Sequence, residues 1–424
     1  MAKFILPASL MLLAACSGGS RSESVSDIPL SIATPDTDDF YSAPARIPDT
    51  PGTILKSRAI TYQPAGVPLP NPAWQLQYVT HDSQGKPIAA VTTVIQPLVP
   101  SLYGHPVLLS FQHAYDSLGA ICTPSHTATG STSNSTNLGE TLEFAPGLET
   151  LGWTLVIPDY EGPKHAWGAA RVSGQATLDS IRAALAFEPL GLSQNTPVAL
   201  WGYSGGAYAT TWAVALQPGY APELQLVGAV AGGTPVSLLD VIPPQDGTVE
   251  LNFLFMAVMG VAREYPEILP RSLLTEKGAH AVDVLKDACS PNTASDLPLP
   301  AARMSDYVAA SDPYTTPGFQ SVGPKLSLMQ NSLHPTTDVY MFHEISDGLL
   351  PIASADALVA KWCAEGVPLS YYRSHAADVV ALADPIEAHT VGAVAGTPTA
   401  IAYLTGRFAG LPNPVTPLGS VRCN

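Results

Sequence analysis

The residues that could do chemistry begin with Ser204, which lies within the pentapeptide Gly-Tyr-Ser-Gly-Gly at 202–206. This pentapeptide follows a short apolar run at 197–200 and precedes a segment at 208–216 that has the composition of a helix. A tight strand-to-helix turn projects the serine hydroxyl above a sheet, and the glycines avoid clashes with the neighbouring strand and helix. The pattern predicts that Ser204 is a nucleophile.

A serine hydroxyl is a weak nucleophile until a histidine removes its proton, and an acid must orient that histidine. On a fold with such a turn, the acid and then the base follow the serine along the chain. Asp347 is the best placed acid because it comes shortly after an apolar run at 338–342, and Asp384 is the fallback. His375 and His389 both follow Asp347, and position alone does not choose between them.

The negative charge that develops on an attacked carbonyl oxygen needs two backbone N–H donors. One donor is expected from Gly205, the residue after the nucleophile. The second should come from a loop after an early strand, here 112–117, and the residues of this loop do not identify it. The sequence contains no Cys-x-x-Cys motif and no Cys/His pair at ligand spacing, which argues against a zinc site.

Strands and helices must hold these residues in place. Continuous apolar runs at 106–111, 153–157 and 225–230 are typical of strands covered on both faces. An apolar stripe at 175–187 has the spacing of a helix. Strands alternating with helices predict an α/β fold with a mostly parallel sheet flanked by helices.

The outer parts of this sheet are predicted from weaker patterns. Residues 31–72 are rich in turn-forming Pro and Gly and are expected to wrap the surface. The segments 74–79 and 88–95 predict a hairpin at the edge of the sheet, and 398–408 predicts a closing helix. From 236 to 326, helical runs broken by Pro predict a helical insertion before the acid.

Composition and charge restrict the class of protein. The chain has 424 residues, of which 46% are hydrophobic and 13% charged, so it is long and apolar enough for a compact globular fold. Its formal net charge of −16 argues against nucleic acid or an anionic membrane surface as a partner.

The N-terminus has the layout of an export signal. Lys3 precedes an apolar stretch at 4–13, and Leu-Ala-Ala-Cys at 13–16 resembles a bacterial lipobox. We therefore expect a signal peptide at 1–16, a lipid anchor on Cys16 and a flexible tether at 17–40. An ordinary cleaved signal with an incidental cysteine is the alternative. The expected location is the cell envelope, at the outer membrane, or secretion. The four other cysteines, an even number in an exported chain, predict two disulfides, with three possible pairings.

The motifs together resemble the secretory lipases of fungi and bacteria, which have the α/β-hydrolase fold with a helical cap inserted before the acid. The similarity covers most of the chain after about residue 40, and its strongest runs are 158–162 and 202–207, followed by 220–224. Further matches are 227–229, 232–235 and 347–351. The resemblance implies that Ser204 is the nucleophile, Asp347 the acid and His389 the base. It also implies that the backbone N–H groups of Asp116 and Gly205 form the oxyanion hole.

The resemblance further implies the disulfide Cys122–Cys289, which leaves Cys363 to pair with Cys423. It divides the chain into a core at 41–235, a cap or lid at 236–326 and a second part of the core at 327–424. The implied activity is hydrolysis of carboxylic esters, including triacylglycerols, through an acyl-enzyme and without metal or cofactor. An acyltransferase, a peptidase and a non-catalytic surface-binding lipoprotein are the alternatives. The chain departs from the family by adding a lipobox. Its cap residues resemble the family least, and because the family's cap forms the acyl tunnel, the acyl-chain preference does not carry over.

Overall fold

The computed structural model describes residues 32–237, 241–290, 297–412 and 414–423. The N-terminal segment, including the predicted signal peptide, Cys16 and most of the predicted tether, lies outside the described residues. Strands β1 to β10 of the described part are, in chain order, Ile54–Thr61, Pro72–His81, Pro87–Ile95, Leu108–Gln112, Thr154–Pro158, Val198–Tyr203, Leu226–Gly232, Val339–Glu344, Leu369–Ser374 and Val421–Cys423.

All ten strands belong to one sheet with the order β1-β2-β3-β5-β4-β6-β7-β8-β9-β10. The six neighbouring strands from β5 to β9 in this order are parallel, whereas β1, β2, β3 and β10 pair antiparallel. Successive residues of the inner strands alternate between two buried faces: Val198 and Leu200 pack in one cluster, Ala199 and Trp201 in the other. This double burial explains the continuous apolar runs.

Helices cover both faces of the sheet. Helices α1 to α11 of the described part are Pro124–Ala128, Ser135–Pro146, Ala170–Ala186, Gly205–Tyr220, Glu250–Ala262, Glu276–Leu285, Met304–Tyr307, Pro317–Val322, Ile352–Ala364, Asp378–Ala381 and Glu387–Phe408. Helices α3, α4 and α5 contribute to the cluster on one face, while α2 and α11 contribute to the cluster on the other. The predicted α/β-hydrolase fold, with a mostly parallel sheet between helices, is confirmed.

The chain between β7 and β8 is helical, as predicted. Its described residues form α5 to α8 and short turns, with one isolated bridge between Leu274 and Val308. Helix α5 is buried along nearly its whole length, and its Phe253 ring lies 4.8 Å from that of Trp167 in the core. The division of the chain into core and cap at residues 236 and 326 stays a prediction.

Two expectations about the edges are wrong. The hairpin of β2 and β3 is not the edge, because β1 pairs outside β2 within the segment expected to wrap the surface. The last helix begins at Glu387 rather than Pro398, and the chain closes with the short strand β10. Pro398 lies inside α11, where its ring removes one backbone donor without ending the helix.

Candidate active site

Ser204 occupies the turn between β6 and α4. Its backbone has φ 51° and ψ −122°, a conformation that a residue with a side chain adopts only under strain of about 1–3 kcal/mol. A Cβ on Gly202 would lie 2.3 Å from the Gly206 carbonyl, and one on Gly206 would lie 2.0 Å from the Gln112 oxygen. Both glycines are therefore required by close contacts of strand and helix, as the pentapeptide predicts.

The structure brings Ser204, His389 and Asp347 together although they are far apart in sequence. His389 Nε2 lies 2.8 Å from Ser204 Oγ, and His389 Nδ1 lies 2.6 Å from Asp347 Oδ2. These two contacts form a continuous chain of hydrogen bonds from hydroxyl to carboxylate. Such a chain can carry the serine proton to the imidazole while the carboxylate fixes the ring.

Asp347 is held by several donors. Its Oδ1 accepts the backbone N–H groups of Leu349 and Leu350 at 2.9 and 2.8 Å, and its Oδ2 lies 3.4 Å from His343 Nε2. Burial alone would raise the pKa of this carboxyl, but the charge and hydrogen bonds of His389 and His343 outweigh burial. The pKa of Asp347 is consequently held well below its usual range, and the carboxylate stays ionised.

His389 lies in the first turn of α11. Its backbone carbonyl accepts the hydroxyl of Tyr203 at 2.6 Å, which ties the helix to the residue before the serine. The loop before α11 is fixed to the acid loop, since Gly348 N donates to Pro385 O at 2.8 Å. The histidine and the acid are thus positioned by one connected unit.

The two alternatives that the sequence left open lie elsewhere. His375 is exposed and contacts Asp378 at 2.8 Å. Asp384 is also exposed, and its Oδ1 accepts the backbone N–H groups of Ile386 and Glu387 at the start of α11. Their contacts are those of surface and helix-capping residues.

Asp116 and Gly205 lie side by side at the other flank of Ser204. Asp116 has φ 40°, and a Cβ on Gly205 would lie 1.8 Å from Asp116 Oδ1. Gly205 is the first residue of α4, where backbone N–H groups have no partner within the helix. Neither of the two amides donates to an acceptor among the described residues. Both amides are therefore available to a ligand.

The loop that carries Asp116 rests on buried polar groups. Glu140 Oε2 lies 3.0 Å from His113 Nδ1 and accepts the N–H of Ala114 at 2.8 Å. The Tyr160 hydroxyl donates to the His113 carbonyl at 2.6 Å. Burial lowers the pKa of His113 to about 3, so its contact with Glu140 is a hydrogen bond of a neutral imidazole.

Three of these positioning residues were missed by the sequence analysis: Tyr203, His343 and Glu140. Tyr203 was visible as the variable residue of the pentapeptide, before the serine. No spacing signal identified the other two, because their contacts depend on tertiary structure.

Two disulfides join the remaining cysteines in the pairs that the resemblance implies. Cys122 bonds to Cys289 and links the segment after the Asp116 loop to the helical insertion. Cys363 bonds to Cys423 and fastens β10 to α9. In the described part of the chain, no three His, Cys, Asp or Glu side chains cluster as a metal site, and no helix has the length and apolar character to cross a membrane.

The chain resembles known proteins in fold and sequence. Residues 128–415 match the family model described as secretory lipase. Lipase 6 of Candida albicans is 34% identical over 403 residues, which cover 90% of this chain and 83% of that protein. A protein of Mycobacterium tuberculosis named as a probable inactive lipase is also 34% identical, over 389 residues, with coverage of 89% and 83%.

A solved lipase structure also has a similar fold. The crystal structure of Candida antarctica lipase A in its closed state superposes with a TM-score of 0.77 at 26% identity. The match covers 89% of this chain and 87% of that one.

Proposed function

This chain belongs to the secretory lipase family and is a hydrolase of the lipase/esterase type, and we propose that it cleaves carboxylic esters by a Ser204–His389–Asp347 triad through an acyl-enzyme. The observation that carries this proposal is the continuous hydrogen-bonded chain from Ser204 Oγ through His389 to Asp347 at a strained turn. Triacylglycerols are proposed as one substrate class.

In the first half-reaction, His389 Nε2 accepts the proton of Ser204 while the oxygen attacks the ester carbonyl carbon. The negative charge moves to the carbonyl oxygen, where the N–H groups of Asp116 and Gly205 stabilise it. His389 then gives the proton to the leaving alcohol as the C–O bond breaks, which leaves the acyl group on Ser204. While His389 carries this proton, the ionised Asp347 stabilises its imidazolium ring.

In the second half-reaction, water takes the place of the alcohol. His389 removes a proton from water, the hydroxide attacks the acyl carbon, and the bond to Ser204 breaks. The serine recovers its proton and the carboxylic acid leaves.

The nucleophile is tested with a fluorescent phosphonate probe and with p-nitrophenyl esters. We expect the wild type to be labelled at Ser204 and Ser204→Ala to lose labelling, with kcat lower by about 10⁴-fold or more. Labelling that persists in Ser204→Ala would overturn the assignment. Parallel assays with p-nitroanilides and with an added alcohol identify a peptidase or an acyltransferase.

The base is tested with two histidines that the sequence left equivalent. His389→Ala should lower kcat by about 10⁴-fold, because the serine proton loses its acceptor. His375→Ala is the matched control and should keep kcat within about twofold, since its side chain is exposed and contacts Asp378. Steady-state kinetics on one ester measures both. Equal losses would contradict the role of His389.

We also propose that Cys16 carries a lipid that anchors the exported protein to the membrane. The support is the lipobox-like sequence at 13–16, and membership of a secretory family agrees with export. Cys16→Ser should move the protein from the membrane pellet to the soluble fraction after expression in a bacterial host. Unchanged sedimentation would exclude this anchor.

A further inference from the structure

A cavity of about 510 Å³ lies between segment 32–42 and the loop that follows β5, and Ser204, Asp347 and His389 do not line it. Its volume falls within the range of about 300–1,000 Å³ typical of small-molecule sites. Much of its wall is apolar, formed by Ile32, Pro35, Ala89, Ala90, Val91 and Pro163.

The segment that forms one wall is fixed to the body of the protein. Thr34 donates its backbone N–H and its hydroxyl to the Asp287 carboxylate, each at 2.7 Å. Asp36 Oδ2 lies 2.9 Å from His126 Nε2, and the Tyr41 ring stacks on His126 with centroids 4.5 Å apart. These contacts fix the segment at several points along its length, so the wall of the cavity has a defined position in the folded protein.

A buried cation lines the cavity. Arg263 is 3% exposed, and its Nη atoms donate to four backbone carbonyl oxygens at 2.7–3.0 Å, those of Leu118, Lys164, His165 and Lys286. Its Nε is buried and has no acceptor among the described residues. Burial lowers the pKa of Arg263 to about 10, and Glu161 and Asp287 raise it only from a longer distance. A buried charge without a counter-charge in contact is unfavourable.

His165 lies beside this guanidinium. It is half-buried with φ 49°, and its Nδ1 atom is buried and has no hydrogen-bond partner in the described part of the chain. Burial lowers its pKa to about 3, so the imidazole is neutral. A neutral imidazole can offer an N–H at this position without adding charge.

The other ionisable groups that line the cavity have partners. Asp36 contacts His126, whose pKa burial lowers. Asp159 accepts the N–H and the hydroxyl of Ser125 at 3.0 and 2.6 Å, and burial raises its pKa to about 7. Lys164 pairs with Glu264 at 2.8 Å. Among the described lining residues, Arg263 is the cation that has no carboxylate in contact.

We propose that this cavity binds a medium-chain carboxylic acid, whose carboxylate lies against the guanidinium of Arg263 and the imidazole of His165 while its alkyl chain lies on the apolar wall. A carboxylate supplies the missing counter-charge, and the chain fills space that water would occupy unfavourably. Carboxylic acids are what ester hydrolysis releases. The cavity is thus a product-binding site separate from the triad, whichever serine is the nucleophile.

The test measures binding of octanoate to the full chain by titration calorimetry. Ala33→Trp places a ring in the cavity from the fixed segment and should abolish the saturable octanoate site. Thr37→Trp is the matched control, because Thr37 belongs to the same segment, is exposed and does not line the cavity. It should bind octanoate as the wild type does. Ester hydrolysis by both variants verifies that they fold.

The polar end is tested separately. 1-Octanol should bind about tenfold or more weakly than octanoate, because a charge-assisted hydrogen bond contributes at least that ratio. His165→Gly tolerates the left-handed backbone and should weaken octanoate binding by about tenfold. Equal binding of octanol and octanoate, or octanoate binding that survives Ala33→Trp, would overturn the proposal.

Discussion

Two buried aspartates flank Ser204 and differ in their hydrogen-bond donors and in the direction of their pKa shifts. Asp347, 7% exposed, accepts two backbone N–H groups and the imidazole of His389, and its pKa is held below the usual range. Asp116, 6% exposed, has an Oδ1 without a donor among the described residues. Burial and the nearby Glu140 charge raise the pKa of Asp116 to about 8. Donors, and not burial, therefore decide which of the two is ionised.

This difference matches the charges of the proposed reaction. Positive charge develops on His389, next to an ionised acid that stabilises it. Negative charge develops on the carbonyl oxygen near Asp116, where a second anion would repel it. A neutral Asp116 side chain permits its backbone N–H to act as a donor. One flank of Ser204 thus favours cation formation and the other favours anion formation.

The largest effect that tests this contrast comes from the same substitution at both positions. Asp347→Asn should lower kcat by about 10⁴-fold, because an amide can hold the imidazole in the wrong tautomer. Asp116→Asn should keep kcat within about tenfold, since the proposed donor is the backbone N–H and Asn tolerates a positive φ. Steady-state kinetics on a soluble p-nitrophenyl ester checks both.

Equal losses for the two variants would break the contrast, because the Asp116 side chain would then take part in the reaction itself. Circular dichroism of each variant separates a loss of catalysis from a loss of folding.

The sequence predicted the parts of this molecule that depend on local pattern. The inner strands were visible because both faces are buried, and Ser204 was visible because its turn needs glycine at 202 and 206. Strand β1 was missed because it is half-exposed and carries Lys56 and Arg58 between its apolar residues. The start of α11 was missed because Pro398 is typical of a first turn, although here it lies inside the helix.

The sequence alone also predicted the two flanks of Ser204 to different extents. Order along the chain pointed to Asp347 but left His375 and His389 open, and only tertiary contacts and the family resemblance favour one of them. Glu140, which lies under the Asp116 loop, belongs to a helix that carries no motif. Its effect on the Asp116 pKa requires knowing that the two carboxyl groups are buried together.

The smaller effect is on stability as a function of pH. The folded pKa of Asp116, about 8, is above its unfolded value near 3.8, so between these values the folded protein holds a proton that the unfolded chain has lost. Wild-type stability accordingly falls as pH rises through this window. Asn does not titrate, and Asp116→Asn should gain stability relative to wild type from pH 4 to pH 8, by roughly a few kcal/mol. Urea unfolding at several pH values measures it.

The Glu140 charge is the second cause of this raised pKa, and removing it sharpens the prediction. In a Glu140→Gln background, Gln still accepts the Ala114 N–H, while the like charge near Asp116 is gone. In this background, the gain in stability from Asp116→Asn should therefore be smaller. The pH range over which this gain increases should end below pH 8. If the stability of Asp116→Asn and of wild type instead changed equally with pH, Asp116 would be ionised in the folded protein. Its carboxylate would then lie beside the developing oxyanion, and the two flanks of Ser204 would no longer differ in charge.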